Sequence, residues 1–159
     1  MFNFYVLIGL PGSGKSTYIK NLVNGDWDNY EVISRDDIIL FWASARDLSY
    51  NEAFPLIDQS WITFEFNRLL EDAIEKNKNI IIDRTNMSKK DRADVLKYAV
   101  DYKRIAVNFI LTDVELKNRL KKRELETGKS IPEDVISRMA RKYNPPSKEE
   151  FDNIITIRG

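Results

Sequence analysis

The stretch Gly9-Leu10-Pro11-Gly12-Ser13-Gly14-Lys15-Ser16-Thr17 follows directly on the apolar run Phe2 to Ile8. It satisfies the pattern Gly-x-x-x-x-Gly-Lys-Ser/Thr, in which backbone amides cradle phosphates, the lysine reaches the outer ones and the hydroxyl holds magnesium. Gly12 and Gly14 let the main chain turn with its amides inward, and Ser16 to Val23 reads as a helix whose positive end adds to the cradle. Strand, glycine-rich turn and helix in that order are the context such a loop requires. Gly12, Ser13, Gly14, Lys15, Ser16 and Thr17 are therefore the expected nucleotide-binding residues.

Outward from this loop, strand-like runs alternate with helical patterns: Phe2 to Ile8, Glu31 to Ser34, Asn79 to Asp83, Arg104 to Leu111 and Asn153 to Ile157. Five strands separated by helices predict an α/β domain with a parallel sheet. Helix starts are marked by Ser or Thr followed three residues later by an acid, at Ser49/Glu52, Ser88/Asp91, Thr112/Glu115, Ser130/Glu133 and Ser147/Glu150. Asn144-Pro145-Pro146-Ser147 breaks the chain before a last short helix, and Asp26 to Tyr30 reads as a turn. Trp61, Phe64 and Phe66 fall on a long helix and are expected in the core, with base stacking as the lesser alternative.

The 159 residues, 43% of them apolar, suffice for one domain, 1–159, with a sizeable core. Lys+Arg and Asp+Glu both number 25, so overall charge selects no polyanionic partner. Cysteine and histidine are absent, which removes thiol nucleophiles, disulfides, zinc fingers and histidine bases. Any proton acceptor must be a carboxylate or a perturbed lysine or tyrosine. No signal-type segment or membrane-length run appears, so a soluble, cytoplasmic protein with no membrane partner is expected.

Ligands of open parallel sheets collect at the carboxyl ends of strands. Two such ends carry aspartates, in Ser34-Arg35-Asp36-Asp37 and in Asp83-Arg84-Thr85-Asn86. Phosphoryl transfer needs magnesium, charge compensation, an aligned acceptor and a group to receive the hydroxyl proton. Asp36 is the candidate proton acceptor, and spacing alone leaves it, with Asp37, equally readable as a cap of the helix beginning near Ile38. Asp83 can hold magnesium with Ser16, or bond the backbone of Thr85 as a turn aspartate. Thr85 and Asn86 either tie this segment to the phosphate loop or meet the acceptor. The basic stretch Lys117, Arg119, Lys121, Lys122, Arg123 and Lys129 reads as a solvated face or as a source of cations over a triphosphate. Arg119 and Arg123, four apart, share one face and suit bidentate phosphate contact.

Together these residues resemble the 5'-hydroxyl polynucleotide kinases of phages and of the animal end-healing enzyme, a branch of the P-loop kinases. The resemblance rests on residues 9 to 17, Ser34-Arg35-Asp36, Asp83-x-Thr85-Asn86, the arginine-bearing lid helix ending at Arg123, and the segment from Ile131-Pro132 through Arg141-Lys142-Tyr143, with Pro146, Glu150-Phe151 and Ile154. It implies a three-layer fold with strand order 2-3-1-4-5 and a helical lid. It further implies ATP as donor with Mg2+, phosphate contacts from Lys15, activation of a 5'-hydroxyl of DNA or RNA by Asp36, and transition-state stabilisation by Arg123. Arg35, with Thr85 and Asn86, is the expected acceptor side. Two departures stand out. Ile38 and Ile39 occupy the neighbourhood where the phage enzyme has an arginine on the acceptor phosphate, and no phosphatase domain is expected. The chain is also similar to the kinase-like domain of heterogeneous nuclear ribonucleoprotein U, which lacks the arginine-aspartate pair that Arg35-Asp36 supplies here. A nucleoside or small-molecule kinase and an ATP-binding RNA-interaction module are the alternatives.

Overall fold

In the first strand, β1 (Asn3–Ile8), successive side chains point to opposite sides of the sheet, so two different cores grow from one run of six residues. Phe4, Val6 and Ile8 join a cluster of 22 buried residues on one face. Tyr5 and Leu7 join a cluster of eight on the other. Burial on both faces is why β1 and its neighbour β3 (Asn79–Asp83) are apolar without a polar stripe. The computed structural model describes residues 1–159 and contains five strands, all parallel, in the order β2-β3-β1-β4-β5.

The connections are helical. α1 (Lys15–Val23) leads from β1 to β2 (Tyr30–Ser34) through a short 3-10 turn, Trp27–Asn29, and covers the smaller core with Ile19 and Val23. α2 (Arg35–Ser44), α3 (Tyr50–Ala53), α4 (Gln59–Glu75) and α5 (Lys89–Leu96) all lend residues to the larger core. Helix, sheet and helix make three layers. After β4 (Lys103–Ile110) come α6 (Asp113–Thr127) and α7 (Glu133–Arg141), then β5 (Asn153–Arg158). α6 and α7 each bury a single side chain, Leu116 and Ile136, few for helices of 15 and nine residues. No helix is long and apolar enough to cross a membrane.

Several local expectations change. Ser49 with Glu52 and Thr112 with Glu115 form full capping boxes, and Ser88 accepts from the Asp91 amide. Ser130 does not cap: Pro132 stands at the helix start, and its fixed φ and missing N–H suit that place. Ser147 to Glu150 closes one turn, in which Glu150 Oε1 accepts from the Ser147 amide at 3.2 Å while the carboxylate also meets Arg92, and no helix follows because the chain passes directly into β5. Phe66 is core, whereas Trp61 and Phe64 face outward, Phe64 at 63% exposure, because α4 is buried along Ile62, Phe66 and Leu70.

The Arg92 contact also sets the shape of the sheet's ligand end. Arg92 is fully buried and bonds both Glu150 oxygens at 2.8 and 3.1 Å. It also donates to the carbonyls of Asn86, Met87 and Asn144. One guanidinium thus fastens the segment after β3 to the chain after α7.

Candidate active site

The phosphate loop is built as a cradle. Gly14 has φ 105, open to glycine and strained for other residues, and a side chain on Gly9 would come within 3.0 Å of Phe109 Cβ. Ser13 Oγ is buried without any hydrogen-bond partner, an orphaned polar atom in a loop that has room for an anion. Ser16 and Thr17 are exposed on the first turn of α1. Lys15 Nζ folds back onto the carbonyls of Gly9 and Leu10 at 2.6 and 3.4 Å. Burial, with the positive charge of Arg123 and Lys129 nearby, lowers the Lys15 pKa to about 8, against the opposing pull of Asp83 and Asp36.

Asp36 lies in the first turn of α2, at the carboxyl end of β2, and does not cap that helix. Ser34 does, accepting from the Asp37 amide at 3.3 Å, which frees Asp36 to face the loop. Burial would raise its carboxyl, but Lys129, Tyr50 and Arg123 outweigh burial and hold it below the usual range. Asp37, the next residue, is raised by burial and by Asp36.

Asp83 stands at the end of β3, paired in register with Ser34. Its carboxyl is raised by burial, with Asp37 and Asp36 adding to the rise and Lys15 and Arg123 opposing it. No group of three or more carboxylates forms a metal cage. Magnesium in phosphoryl-transfer sites takes one or two protein ligands and completes its shell with water and phosphate oxygens, so the pair Ser16 and Asp83 fits that ion.

Thr85 and Asn86 join the β3 end to the phosphate loop. The Gly9 amide donates to the Thr85 carbonyl at 3.0 Å and Asn86 Nδ2 to the Leu7 carbonyl at 2.7 Å. Asn86, expected among the acceptor contacts, is 2% exposed with its amide spent in this way, so its place is within the scaffold. Arg35 points along the protein: its guanidinium donates to Thr63 Oγ1 and Gln59 Oε1 on α4.

The lid completes the arrangement. Arg119 lies over Gly14, its Nη1 3.1 Å from where a side chain would begin. Arg123 and Lys129 line a cleft of about 540 Å³ between α6 and α7, bordered by Leu10 of the phosphate loop. Two residues of the site escape a reading of spacing. Tyr50, on α3, donates to Asp36 Oδ1 at 2.8 Å, and Lys129 donates to Asp36 Oδ2 at 3.0 Å with its ammonium 4.1 Å from the Tyr50 ring. Lys129 figures in the sequence only as one of a basic stretch. Tyr50 follows a capping serine and gives no signal of its own, since only the packing of α3 on α2 brings it to Asp36.

A family profile described as "AAA domain" matches residues 5–146. A curated relative, the L-seryl-tRNA(Sec) kinase of Methanococcus maripaludis, is 30% identical over 149 residues, which is 89% of this chain and 52% of the relative. A chain in the structure of the Pnkp1/Rnl/Hen1 RNA repair complex superposes with a TM-score of 0.70 at 26% identity, covering 89% of this chain and 43% of that one. A kinase structure from Chloroflexus aurantiacus J-10-fl gives a TM-score of 0.70 over 99% of this chain and 88% of that chain at 13% identity, a likeness of fold. The chain spans about half the length of the curated relative. With its loop at the end of β1 and strand order 2-3-1-4-5, the chain belongs to the AAA domain family, as a P-loop kinase domain.

Proposed function

We propose that this protein is an ATP-dependent kinase that transfers the γ-phosphate to the 5'-hydroxyl end of DNA or RNA. The observation that carries the reading is a half-exposed carboxylate, Asp36, held by Tyr50 and Lys129 and in electrostatic reach of Lys15 and Arg123, beside a phosphate loop over which Arg119 lies. Lys15 and the loop amides hold the outer phosphates. Ser16 and Asp83 hold Mg2+, which neutralises phosphate charge when bound. Asp36 orients the acceptor hydroxyl and receives its proton as the new oxygen–phosphorus bond forms and the bond to the ADP oxygen breaks. Arg123 and Arg119 compensate the charge on the phosphoryl oxygens. A nucleic acid end as acceptor is supported by the likeness to a chain of an RNA repair complex.

A second reading has its own support. The relative with 30% identity is named for a seryl group carried on tRNA, a primary hydroxyl presented by RNA in a different chemical setting. Incubation with γ-labelled ATP and a panel of 5'-hydroxyl DNA, 5'-hydroxyl RNA, seryl-tRNA, sugars and nucleosides separates the readings. Label on oligonucleotide 5' ends is the expected outcome. Label on the seryl group alone, or on free nucleosides or sugars alone, replaces the polynucleotide assignment. ATP binding with transfer to no hydroxyl makes the chain an ATP-binding module.

A further inference from the structure

Arg35 and Arg84 leave neighbouring strands side by side. Ser34 and Asp83 are paired in register at the ends of β2 and β3, and each arginine is the residue that follows. Paired strands stand about 4.8 Å apart, so the two side chains start as neighbours at the ligand end of the sheet. Both then run to one stripe of α4. Arg35 donates to Gln59 Oε1 and Thr63 Oγ1, and the Arg84 guanidinium lies 5.1 Å from the centre of the Phe66 ring. Residues 59, 63 and 66 follow at helical spacing and share a face.

Neither arginine has a carboxylate in ion-pair contact. Arg84 gives Nε and Nη2 to Asn86 Oδ1, and Nη2 also to the Asp91 carbonyl, which are neutral acceptors. Its Nη1 makes no hydrogen bond, and Arg35 spends only two of a guanidinium's five N–H donors. Burial lowers the pKa of both. At Arg84 repulsion from Arg35 adds to burial while Asp91 and Asp94 oppose it, and at Arg35 Tyr50 and Asp36 oppose it. Two half-buried like charges without a paired acid form a place where an anion is favoured. The next turn of α2 offers no further cation, since Ile38 and Ile39 are spent in the larger core.

We propose that Arg35 and Arg84 together grip the first phosphodiester of the strand whose 5'-hydroxyl lies at Asp36, and so select a nucleotide with a phosphate on its 3' side over a free nucleoside or sugar. The inference rests on the proposed function. In a polynucleotide the phosphate nearest a 5'-hydroxyl lies one sugar away, on the 3' side of the same nucleoside, and Arg35 is the chain neighbour of Asp36. Paired guanidinium forks match two phosphate oxygens in a fixed geometry, which a lysine pair would not.

The test uses a short 5'-hydroxyl oligonucleotide, made as DNA and as RNA, in three forms: fully charged, with a neutral methylphosphonate at the first linkage, and with the same neutral group at the third. Equilibrium binding, and kcat/KM for transfer from ATP, are measured on each. The neutral first linkage is expected to weaken binding and to lower kcat/KM by about 10-fold, the neutral third linkage by about twofold or less. Arg84→Met and Arg35→Met are each expected to bind the charged strand more weakly and to shrink the first-linkage effect to about threefold or less, with the KM for ATP unchanged. Equal effects of the first and third linkages in the unmodified protein overturn the proposal, and that comparison needs no variant to fold. Retention of the full first-linkage effect in either variant overturns it too. Binding that favours a charged first linkage while no hydroxyl is phosphorylated leaves the site standing and removes the kinase reading. Transfer to oligonucleotide 5' ends with no first-linkage preference does the reverse, and a protein that binds none of the strands overturns both.

Discussion

Lys15 shows how much of this site depends on a ligand to balance it. With its ammonium buried against two carbonyls, it loses its proton at about pH 8, below the ordinary 10.5. Between those values the unfolded chain binds more protons than the native one, so the lysine's contribution to stability grows as pH rises across that window. A triphosphate reverses the preference by favouring the ammonium. ATP binding near pH 8 is therefore expected to take up a fraction of a proton and to weaken as pH rises, measured by calorimetry in two buffers of different ionisation enthalpy. An unchanged heat in the two buffers would contradict it. Arg123→Ala is expected to lower kcat by about 100-fold, with the KM for ATP changed far less, as steady-state kinetics would show. The turn of Gly12 to Gly14 between β1 and α1 was legible from the residues, since both glycines take the positive φ that the pattern requires. Asp36 was legible as a candidate because no histidine exists to compete with it. Tyr50 and Lys129 were not, because their meeting on Asp36 depends on elements 14 and 93 residues away from it in the chain.

At the scale of elements, the strands were readable because burial on both faces leaves runs such as Ile80-Ile81-Ile82 with little alternative. Helix starts were readable wherever a hydroxyl cap forms, and failed at Glu133, where the helix starts after Pro132 with no side-chain cap. They failed again at Ser147, where the Ser147–Glu150 bond closes a single turn and the chain then enters β5. Arg92 is expected to matter far from the chemistry. Arg92→Met leaves Glu150 buried without its cation, and a loss of about 3–5 kcal/mol in urea unfolding is expected. Glu150→Gln, which keeps an acceptor, is expected to cost less. The Glu150 carboxyl is held low because Arg92 outweighs the opposing effect of burial. Its folded-state value lies below its unfolded one, so its contribution is present above the usual carboxylate range and is lost as pH falls through the folded value.

Across the whole molecule, charge is balanced, with 25 basic and 25 acidic residues, so any attraction to a polyanionic acceptor arises locally at the lid. If nucleic acid ends are the acceptor, the KM for an oligonucleotide is expected to rise with salt with a modest logarithmic slope, about 0.7 for each phosphate contacted. A steep dependence would point to a basic surface that the composition does not supply. The two-core layering also separates what moves from what does not. The loop around Gly9 is tied to Thr85 and Asn86, and the segment after β3 is in turn bolted by Arg92. Amides at this strand end are therefore expected to exchange more slowly than those of α6 and α7, which bury one side chain each, Leu116 and Ile136, as hydrogen-exchange measurement would show. Under the proposed function, product release is expected to wait on these helices, so that a bond engineered between α6 and α3 is expected to lower kcat while raising the melting temperature.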